Sequence, residues 1–372
     1  MSKITSALGW SIGLLLPVKN NKIVITSYYG KGYSDSPKAI AEKLNENGKY
    51  DIVWLTDSEC ELPDGIKKAK YSGFSRIYHL TTAKIWIDNC RKGAKYKKHG
   101  QIYMQTWHGF ALKQIEKDVV DKIPDPNYEE YAKRDSDQID VIVSDSEHMT
   151  SVYKNSFWYN GEIIEVGSPR NDIFYSKDNF KDKVCKVLGI DTNKKLVLYA
   201  PTFRVNQSLE PYNVDSERIC KALSERFGGD WVFLLRLHPN VAKKSSELKY
   251  KMACDATAYD DIQELLCASD CVISDYSSLI FDFALTEKPA FQYCVDIEEY
   301  KNDRNFYISL DEMPFGIAEN NDQLENIILN FDIDKYKSSL IEFFDKYGIV
   351  RSGNASDKCL KWLEDKLHGG II

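Results

Sequence analysis

The sequence lacks several features that would assign a chain to a class directly. Its nine cysteines are scattered singly with no Cys-x-x-Cys pair, which excludes a disulfide framework and a zinc ribbon. Acidic residues outnumber basic ones by 56 to 49, and the net charge of −7 excludes a general nucleic-acid binder. No apolar run reaches the about 20 residues that a membrane-spanning helix requires. We therefore expect a chain that is made and kept in a reducing cytoplasm.

Common nucleotide and hydrolase motifs are also missing. There is no Gly-x-x-x-x-Gly-Lys sequence of a P-loop and no Gly-x-Ser-x-Gly elbow of a hydrolase. The Gly30-Lys31-Gly32 segment lacks the third glycine of a dinucleotide loop. The Asp-x-Asp triplets at 135–137 and 332–334 do not directly follow a predicted strand, so we interpret them as solvated helix ends. The sequence predicts no resident cofactor or metal and leaves a divalent-cation requirement open.

What is present is an alternation of short apolar runs with segments of helical periodicity. With 372 residues and 43% hydrophobic content, two domains are expected, and the near-continuous Val, Ile and Leu runs are typical of parallel strands buried on both faces. Strands are predicted at 22–27, 50–55, 84–87, 102–105, 141–144, 163–166, 196–200, 231–237, 271–274 and 290–293. Helices are predicted at 37–45, 263–268, 278–285 and 322–330.

The fold class that follows is α/β, with two doubly wound, Rossmann-like domains facing a cleft. The polar segment 175–183 separates the two groups of strands, so the domains are assigned to 21–177 and 178–372, after an apolar N-terminal segment at 1–20. Open α/β sheets bind ligands beyond the carboxyl ends of their strands. The chemistry is therefore expected in strand-terminal loops.

Two segments are candidates for contact with a membrane surface. The run Ala7–Val18 predicts either an interfacial docking helix or a helix that packs on its own domain. The segment Arg91–His99 carries five lysines and arginines, which favours either an anionic leaflet or a solvated loop.

One histidine stands where a strand is predicted to end. His108 follows the strand at 102–105 and precedes Gly109, which lets backbone approach a ligand. A neutral imidazole is suited to removing a proton from a hydroxyl nucleophile. The alternative is a structural histidine beneath Trp107 and Phe110.

Polar residues end two predicted strands of the second half. Period-2 alternation puts Arg236 and His238 on the same side, where they either meet phosphate oxygens or form a buried structural pair. Ser277 and Ser278 precede a predicted helix, with Asp282 one turn on, and this pattern favours an anion site over plain N-capping.

Two further strand ends bring arginines to proline-containing loops. Arg170 follows Pro169, and Thr202 and Arg204 follow Pro201. Together, five loops supply three arginines, two histidines and several hydroxyls in a chain of negative net charge. The combination predicts a polyanionic ligand, most simply a nucleoside diphosphate conjugate.

These motifs, in this order, resemble the CDP-glycerol glycerophosphotransferase family, which primes or polymerises teichoic acid and related capsular chains. The resemblance rests on the segments Ser34–Lys38, Trp107–Gly109, Pro169–Asp172, Ala200–Arg204, Arg236–Pro239 and Asp275–Ser278. It implies a GT-B-like pair of domains, the first binding the acceptor and the second the CDP-alditol donor. It also implies transfer of glycerol phosphate from CDP-glycerol to an acceptor hydroxyl, with release of CMP.

The resemblance assigns roles by position. His108 is similar to the family's catalytic base, and His238 and Arg236 to its contacts with the pyrophosphate. The implied substrate-binding residues are Gly109, Phe110, Ala111, Leu112, Arg170, Thr202, Arg204, Arg236, Ser277, Ser278 and Asp282. Where the family commonly has Thr-Pro-Leu-Lys after the Trp-His-Gly motif, this chain has Phe-Ala-Leu-Lys. CDP-ribitol as the donor therefore stays open beside CDP-glycerol.

The family further implies a lipid-linked polyol-phosphate or saccharide acceptor, and hence peripheral contact at the cytoplasmic face of the cell membrane. Two other functions are compatible with the residues. One is a GT-B nucleotide-sugar glycosyltransferase with His108 as its base, and the other is a non-catalytic scaffold. Whether the enzyme adds one unit or many is not predicted.

Overall fold

Two parallel sheets organise the chain. The computed structural model describes residues 3–123, 125–202, 204, 210–237, 253–299 and 305–368. The described residues of Met1–His108, Ile115–Tyr175 and Gly348–Ile372 form one compact unit, and those of Gly109–Gln114 and Ser176–Tyr347 form the other. Each unit contains one of the sheets.

The first unit contains seven parallel strands in the order β3-β2-β1-β4-β5-β6-β7. They are β1 (Lys19–Thr26), β2 (Asp51–Leu55), β3 (Ile66–Ala69), β4 (Ala83–Asp88), β5 (Ile102–Gln105), β6 (Val141–Ser144) and β7 (Glu162–Glu165). The order reverses between β1 and β4, which makes the carboxyl ends of these two strands the topological switch point of the sheet.

The second unit contains six parallel strands in the order β10-β9-β8-β11-β12-β13. They are β8 (Lys195–Tyr199), β9 (Trp231–Leu235), β10 (Ala253–Asp255), β11 (Cys271–Ser274), β12 (Ala290–Tyr293) and β13 (Gly316–Ala318). Here the switch point lies between β8 and β11. The predicted α/β class with two doubly wound sheets is confirmed.

Helices connect the strands of both units. They are α1 (Lys3–Leu15), α2 (Asp35–Glu46), α3 (Gly73–Thr82), α4 (Tyr128–Ser136), α5 (Glu147–Ser156), α6 (Phe180–Leu188), α7 (Ser216–Phe227), α8 (Ile262–Ala268), α9 (Leu279–Ala284), α10 (Asn321–Leu329), α11 (Ile333–Tyr347) and α12 (Ala355–His368). Several begin at side chains that accept a backbone N–H of the first turn, a favoured N-cap arrangement. These caps are Ser146, Asn179, Asp215, Asp261 and Asn320.

The C-terminal helix departs from the predicted domain division. The sequence assigned 178–372 to one domain, whereas the chain from Gly348 onward belongs with the first unit. Cys359 and Leu363 of α12 are fully buried in the apolar core that also contains Ile25 and Ile40. Asp172 accepts the N–H groups of Ala355 at 2.9 Å and Ser356 at 2.8 Å, so it caps this helix. The sequence could not reveal a return across nearly two hundred residues.

Helix α1 has two different faces. One face packs closely on α3, because a Cβ added at Gly9 would lie 2.9 Å from the Phe74 ring and one at Gly13 would lie 2.8 Å from Thr81. Lys98 donates to the carbonyls of Gly13 and Leu16 and so caps the end of the helix. The other face exposes Leu8, Ile12, Leu14 and Leu15. In the part of the chain that the structure describes, no helix is long and apolar enough to cross a membrane.

The prediction that Arg91–His99 presents five basic side chains to a leaflet is wrong for its first two residues. Arg91 is buried and pairs with Glu116 at 2.6 Å, and Lys92 is buried and pairs with Asp88 at 2.7 Å. The interpretation of Asp135 as a solvated helix end is also wrong, since it is buried 3.7 Å from Arg91. The carboxylate partners of Arg91 lie far along the chain, so the sequence does not reveal these pairs, whereas Lys92 and Asp88 are only four residues apart.

Candidate active site

The first group of polar residues lies at the carboxyl ends of β1, β4 and β5, which are neighbours in the sheet. The chain continues there through Ser27 and Tyr28 after β1, Asn89 and Cys90 after β4, and His108 after β5. The position of the switch point makes this edge the expected ligand-binding edge of the unit.

His108 is held in one tautomer. Its Nδ1 lies 2.6 Å from the Asn89 carbonyl oxygen, which can only accept, so Nδ1 carries the proton and Nε2 carries the lone pair. Burial lowers the pKa of His108 below its ordinary value, against the raising effect of this hydrogen bond. The imidazole is therefore neutral near pH 7, with Nε2 able to accept a proton.

The residues around His108 are connected by several hydrogen bonds and a ring contact. Trp107 has φ +52° and its N–H donates to Gln105 Oε1 at 2.8 Å, while its ring lies 4.3 Å from that of His108. Gln105 Nε2 donates to the Cys90 carbonyl at 2.8 Å. Asn89 Oδ1 accepts the Tyr28 N–H at 2.9 Å. Asn89 thus connects the loop after β1 to His108, because its side chain contacts Tyr28 and its main-chain carbonyl contacts the imidazole.

Asp35 joins three loops of the same unit. Its carboxylate accepts from Tyr28 Oη at 2.5 Å, from Arg170 Nη1 at 2.9 Å and from the Ser36 N–H at 2.6 Å. Burial acts to raise the pKa of Asp35, but Arg170 and these hydrogen bonds outweigh it and hold the pKa below its usual value. Arg170, which the resemblance predicts as a substrate-binding residue, is thus a buried ion-pair partner of Asp35. The main-chain N–H of Arg170 also donates to Ser36 Oγ at 3.3 Å.

The second group lies at the switch point of the second unit. Thr202 donates through its N–H and its hydroxyl to Asp275, at 2.8 Å and 2.6 Å to Oδ1. Arg204 is buried, 2.8 Å from Asp275 and 2.6 Å from Asp296, with its guanidinium 5.1 Å from the centre of the Tyr276 ring. Two of the predicted substrate-binding residues are therefore part of a buried ionic network that orders the loops after β8, β11 and β12.

Ser277 and Ser278 lie just before α9 and are both partly exposed. The Ser278 side chain makes no capping hydrogen bond to the helix, and Asp275 accepts from Thr202 instead. This arrangement argues against plain N-capping by Ser278 or Asp275. Asp282 is buried and accepts from Gln263 Nε2 at 3.3 Å.

Arg236 follows β9 and is partly buried, with Nη1 directed to the carbonyls of Tyr259 and Ala256. His238 lies outside the described residues, so its predicted role as a second catalytic group stays a prediction.

The segment that follows His108 belongs to the second unit from Gly109 onward. Gly109 has φ +141°, and Phe110, Ala111 and Leu112 are buried. The Phe110 ring lies 4.7 Å from that of Phe281. The contacts of Phe110 are therefore those of apolar packing, and a substrate role for Gly109–Leu112 stays a prediction.

Sequence reasoning did not single out Tyr28, Asn89 or Asp296. Each of them becomes a candidate only through a contact with a residue elsewhere in the chain, as Asn89 does through its contact with His108. A signal was available only in the strand assignment, since Tyr28 and Asn89 lie within two residues of the ends of predicted strands. Among the residues that the structure describes, no group of His, Cys, Asp and Glu is arranged to hold a metal ion.

The fold and these loops define a two-domain α/β protein with a neutral histidine at one switch point and a polar, partly ionic loop cluster at the other. The chain belongs to the CDP-glycerol:poly(glycerophosphate) glycerophosphotransferase family, which it matches over residues 10–365. The resemblance found in the motifs is thereby confirmed.

Two relatives match along nearly their whole length. A teichoic acid glycerol-phosphate transferase of Staphylococcus aureus (strain NCTC 8325 / PS 47) is 32% identical over 92% of this chain and 92% of its own. A teichoic acid poly(glycerol phosphate) polymerase of Bacillus spizizenii (strain ATCC 23059 / NRRL B-14472 / W23) is 30% identical over 94% and 93%. Other relatives are longer. The chain spans about half the length of the polymerases of Staphylococcus epidermidis and Bacillus subtilis, at 51% and 48%.

Solved structures of the wall teichoic acid polymerase TagF are similar along the chain. A variant of TagF aligns with a TM-score of 0.86 at 28% identity, covering 98% of this chain and 94% of that one. A second variant, soaked for 15 minutes with CDPG, aligns with a TM-score of 0.82. The predicted GT-B-like fold is thus the fold of a solved structure that is similar along nearly the whole chain.

Proposed function

We propose that this protein transfers glycerol phosphate from CDP-glycerol to an acceptor hydroxyl and releases CMP. The observation that carries the proposal is His108, which burial keeps neutral and which the Asn89 carbonyl holds in the tautomer that leaves Nε2 to accept a proton. Membership of the family supports CDP-glycerol as the donor, and so do two relatives, 30% and 32% identical, that are named for glycerol phosphate. A ribitol-phosphate primase is 27% identical over 96% of the chain, so CDP-ribitol is the donor to test beside it.

The proposed reaction is an in-line displacement at phosphorus. His108 Nε2 takes the proton of the acceptor hydroxyl as its oxygen attacks the phosphorus that carries glycerol. A new P–O bond forms to the acceptor while the bond to the bridging oxygen breaks, and CMP leaves with that oxygen. The imidazolium then loses its proton to solvent. The product is a phosphodiester, and no metal or redox partner is needed to balance the step.

Donor-side residues have a different task. Arg236, the hydroxyls of Ser277 and Ser278, and His238 are proposed to meet the charge that spreads over the transferred and leaving phosphates. The network of Arg204, Asp275 and Thr202 supports this role by ordering the loop that carries the serines.

The acceptor is proposed to be lipid-linked and to be used at the cytoplasmic face of the cell membrane. Helix α1 supports this, because its exposed Leu8, Ile12 and Leu15 face away from the packing on α3. An amphipathic helix of this kind lies in the interface with its apolar side towards the acyl chains.

The donor is tested by CMP release from CDP-glycerol, CDP-ribitol and, as a third arm, a UDP-sugar assayed for UDP. We expect acceptor-dependent release from CDP-glycerol, with Ser277→Ala and Ser278→Ala each slower. CMP release from CDP-ribitol alone would show that the protein is a ribitol-phosphate transferase. Consumption of the UDP-sugar alone would identify a glycosyltransferase.

The membrane contact is tested by flotation with liposomes. Leu8→Ser combined with Ile12→Ser is expected to abolish flotation, whereas Val187→Ser, which alters an exposed apolar residue of α6, should leave it unchanged. Flotation that survives the double substitution, or a wild-type protein that does not float, would contradict the role of α1.

A further inference from the structure

A single glutamine connects the two loops that hold His108. Gln105 is the last residue of β5, and its side chain is buried, with 1% of the residue exposed. It contacts the loop after β4 on one side and the chain just before His108 on the other. Because it is buried, it takes no direct part in the proposed reaction, and its effect must pass through its neighbours.

The Gln105 amide uses its acceptor and both of its donors. Oε1 accepts the Trp107 N–H at 2.8 Å, and Nε2 donates to the Cys90 carbonyl at 2.8 Å and to Tyr103 Oη at 2.9 Å. A main-chain N–H can only donate and a carbonyl can only accept, so these partners fix which way the amide points. A side chain that only donates or only accepts could not make both contacts.

The oxygen of this amide maintains a strained piece of backbone. Trp107 has φ +52°, a region that bulky side chains rarely adopt, and it is buried, so its N–H requires a partner. Gln105 supplies that partner. The Trp107 ring lies 4.3 Å from the His108 ring and 4.7 Å from the Phe157 ring. Strain that the surroundings maintain in this way is concentrated at functional sites, and here it sets the direction in which the chain enters His108.

The nitrogen of the amide holds the carbonyl next to the one that sets the tautomer. His108 Nδ1 lies 2.6 Å from the Asn89 carbonyl oxygen, and Gln105 binds the carbonyl of the next residue, Cys90. Tyr103 Oη is buried and adds a contact to the Cys90 carbonyl at 3.4 Å. Two successive carbonyls of the loop after β4 are therefore bound from β5 and the residues that follow it. The position of the Asn89 oxygen depends on Gln105 as well as on the imidazole.

We propose that Gln105 is the positioning residue of the base. By holding the Trp107 N–H and the Cys90 carbonyl together, it keeps the His108 imidazole in the tautomer whose Nε2 is unprotonated. The catalytic part of this inference rests on the proposed function, because it takes His108 as the base. The tautomer itself is a property of the protein without substrate and is measured separately.

The test replaces Gln105 by methionine, which has a similar length but cannot bridge a donor and an acceptor. The matched control is Gln101→Met. Gln101 immediately precedes the same strand and is 3% exposed, and its amide accepts the Lys98 N–H at 2.8 Å and donates to the Leu80 carbonyl at 2.8 Å. Each substitution removes a buried amide bridge, so we expect similar losses of Tm. Of the two bridges, the one at Gln105 adjoins His108.

The first measurement is nitrogen-15 NMR of protein labelled at histidine, with the His108 signals assigned by their loss in His108→Ala. In the wild type at neutral pH we expect a protonated Nδ1 and an unprotonated Nε2. Gln105→Met should move the two signals towards each other, because the imidazole then exchanges between tautomers, and Gln101→Met should leave them in place. Unchanged His108 signals in Gln105→Met, or an equal change in both variants, would overturn the proposal.

The second measurement is CMP release at steady state. We expect kcat of Gln105→Met to fall about 10²-fold, as for a misplaced catalytic group, with KM for CDP-glycerol unchanged and with kcat of Gln101→Met close to that of the wild type. A higher KM with an unchanged kcat would also overturn the proposal. If the wild type releases no CMP, the proposed function fails, while the NMR result still decides whether Gln105 sets the tautomer.

A second variant keeps the test decisive if Gln105→Met does not fold. Gln105→Asn retains the amide but is one methylene shorter, so it cannot reach both the Trp107 N–H and the Cys90 carbonyl. The same change of the His108 signals and the same loss of kcat are expected. Signals and kcat like those of the wild type would show that the bridge is not needed.

Discussion

At the scale of residues, the proposed catalysis depends on a histidine whose proton position is set by a main-chain carbonyl. Many general bases are oriented by a carboxylate, which raises the pKa of the imidazole. His108 instead donates to the Asn89 carbonyl, and burial lowers its pKa. The base therefore stays neutral at pH values where a solvent-exposed histidine would begin to be protonated.

This arrangement has a consequence for the pH dependence of catalysis. The active form is the neutral imidazole, so activity is lost as the pH falls through the pKa of His108. Because that pKa is lowered from 6.5, the acidic limb of kcat/KM is expected below pH 6.5. The midpoint of this limb is measured from the pH profile of kcat/KM for the acceptor at a saturating concentration of the donor. An acidic limb with its midpoint at pH 7 or above would contradict the assignment.

The buried pair of Asp35 and Arg170 predicts a large effect on stability. Asp35→Asn leaves the Arg170 guanidinium buried without its charged partner, and breaking such a pair typically costs about 3–5 kcal/mol. The free energy of unfolding by urea should fall accordingly. Asp230→Asn makes the same chemical change at an exposed pair with Lys194 and should have no measurable effect. Equal stabilities of the two variants would show that the Asp35 pair is not structural.

The sequence indicates which residues lie in loops after strands, because the strand pattern is local. It does not indicate which residues form ion pairs, because the partners lie far apart in the chain. His108, Ser277 and Ser278 were singled out because they lie in loops just after predicted strands. Arg170 and Arg204 were predicted as substrate-binding residues, which stays a prediction, but nothing in the sequence associates them with their partners Asp35 and Asp296. An arginine in a strand-terminal loop has the same local pattern whether its partner is a phosphate or a distant carboxylate.

At the scale of elements, ten of the thirteen strands in the described chain were predicted. The three that were missed, β3, β10 and β13, all lie at the edges of their sheets and have three or four residues. Edge strands are buried on fewer sides, so their sequences carry a weaker apolar pattern. The central strands, which position the candidate site, have the strongest pattern and were predicted within one or two residues for most.

The cap of α12 gives a prediction for a single element. Asp172→Ala removes the acceptor of two first-turn N–H groups and should destabilise the first unit by about 1–2 kcal/mol. Hydrogen exchange of the amides of α12 should accelerate. Asp357→Ala, within the first turn of the same helix, is the control and should change these amides less. Unchanged exchange in Asp172→Ala would contradict a capping role.

At the scale of the whole molecule, the chain completes one sheet, builds a second and then returns to the first through α12. Each sheet places its polar loops at its own switch point, and the family match extends over both units. The sequence predicted two doubly wound domains because the strand pattern repeats. It did not predict the return, because α12 is similar to any amphipathic helix until its partners are known.

In the proposed reaction, the phosphate that carries glycerol passes to the acceptor while His108 takes the acceptor's proton. The most direct measurement uses CDP-glycerol labelled with radioactive phosphorus in that phosphate. We predict label in the acceptor as a phosphodiester, unlabelled CMP, and a loss of about 10²–10⁴-fold in His108→Ala. Label that never enters the acceptor, or a His108→Ala variant that retains more than about a tenth of the rate, would contradict the account.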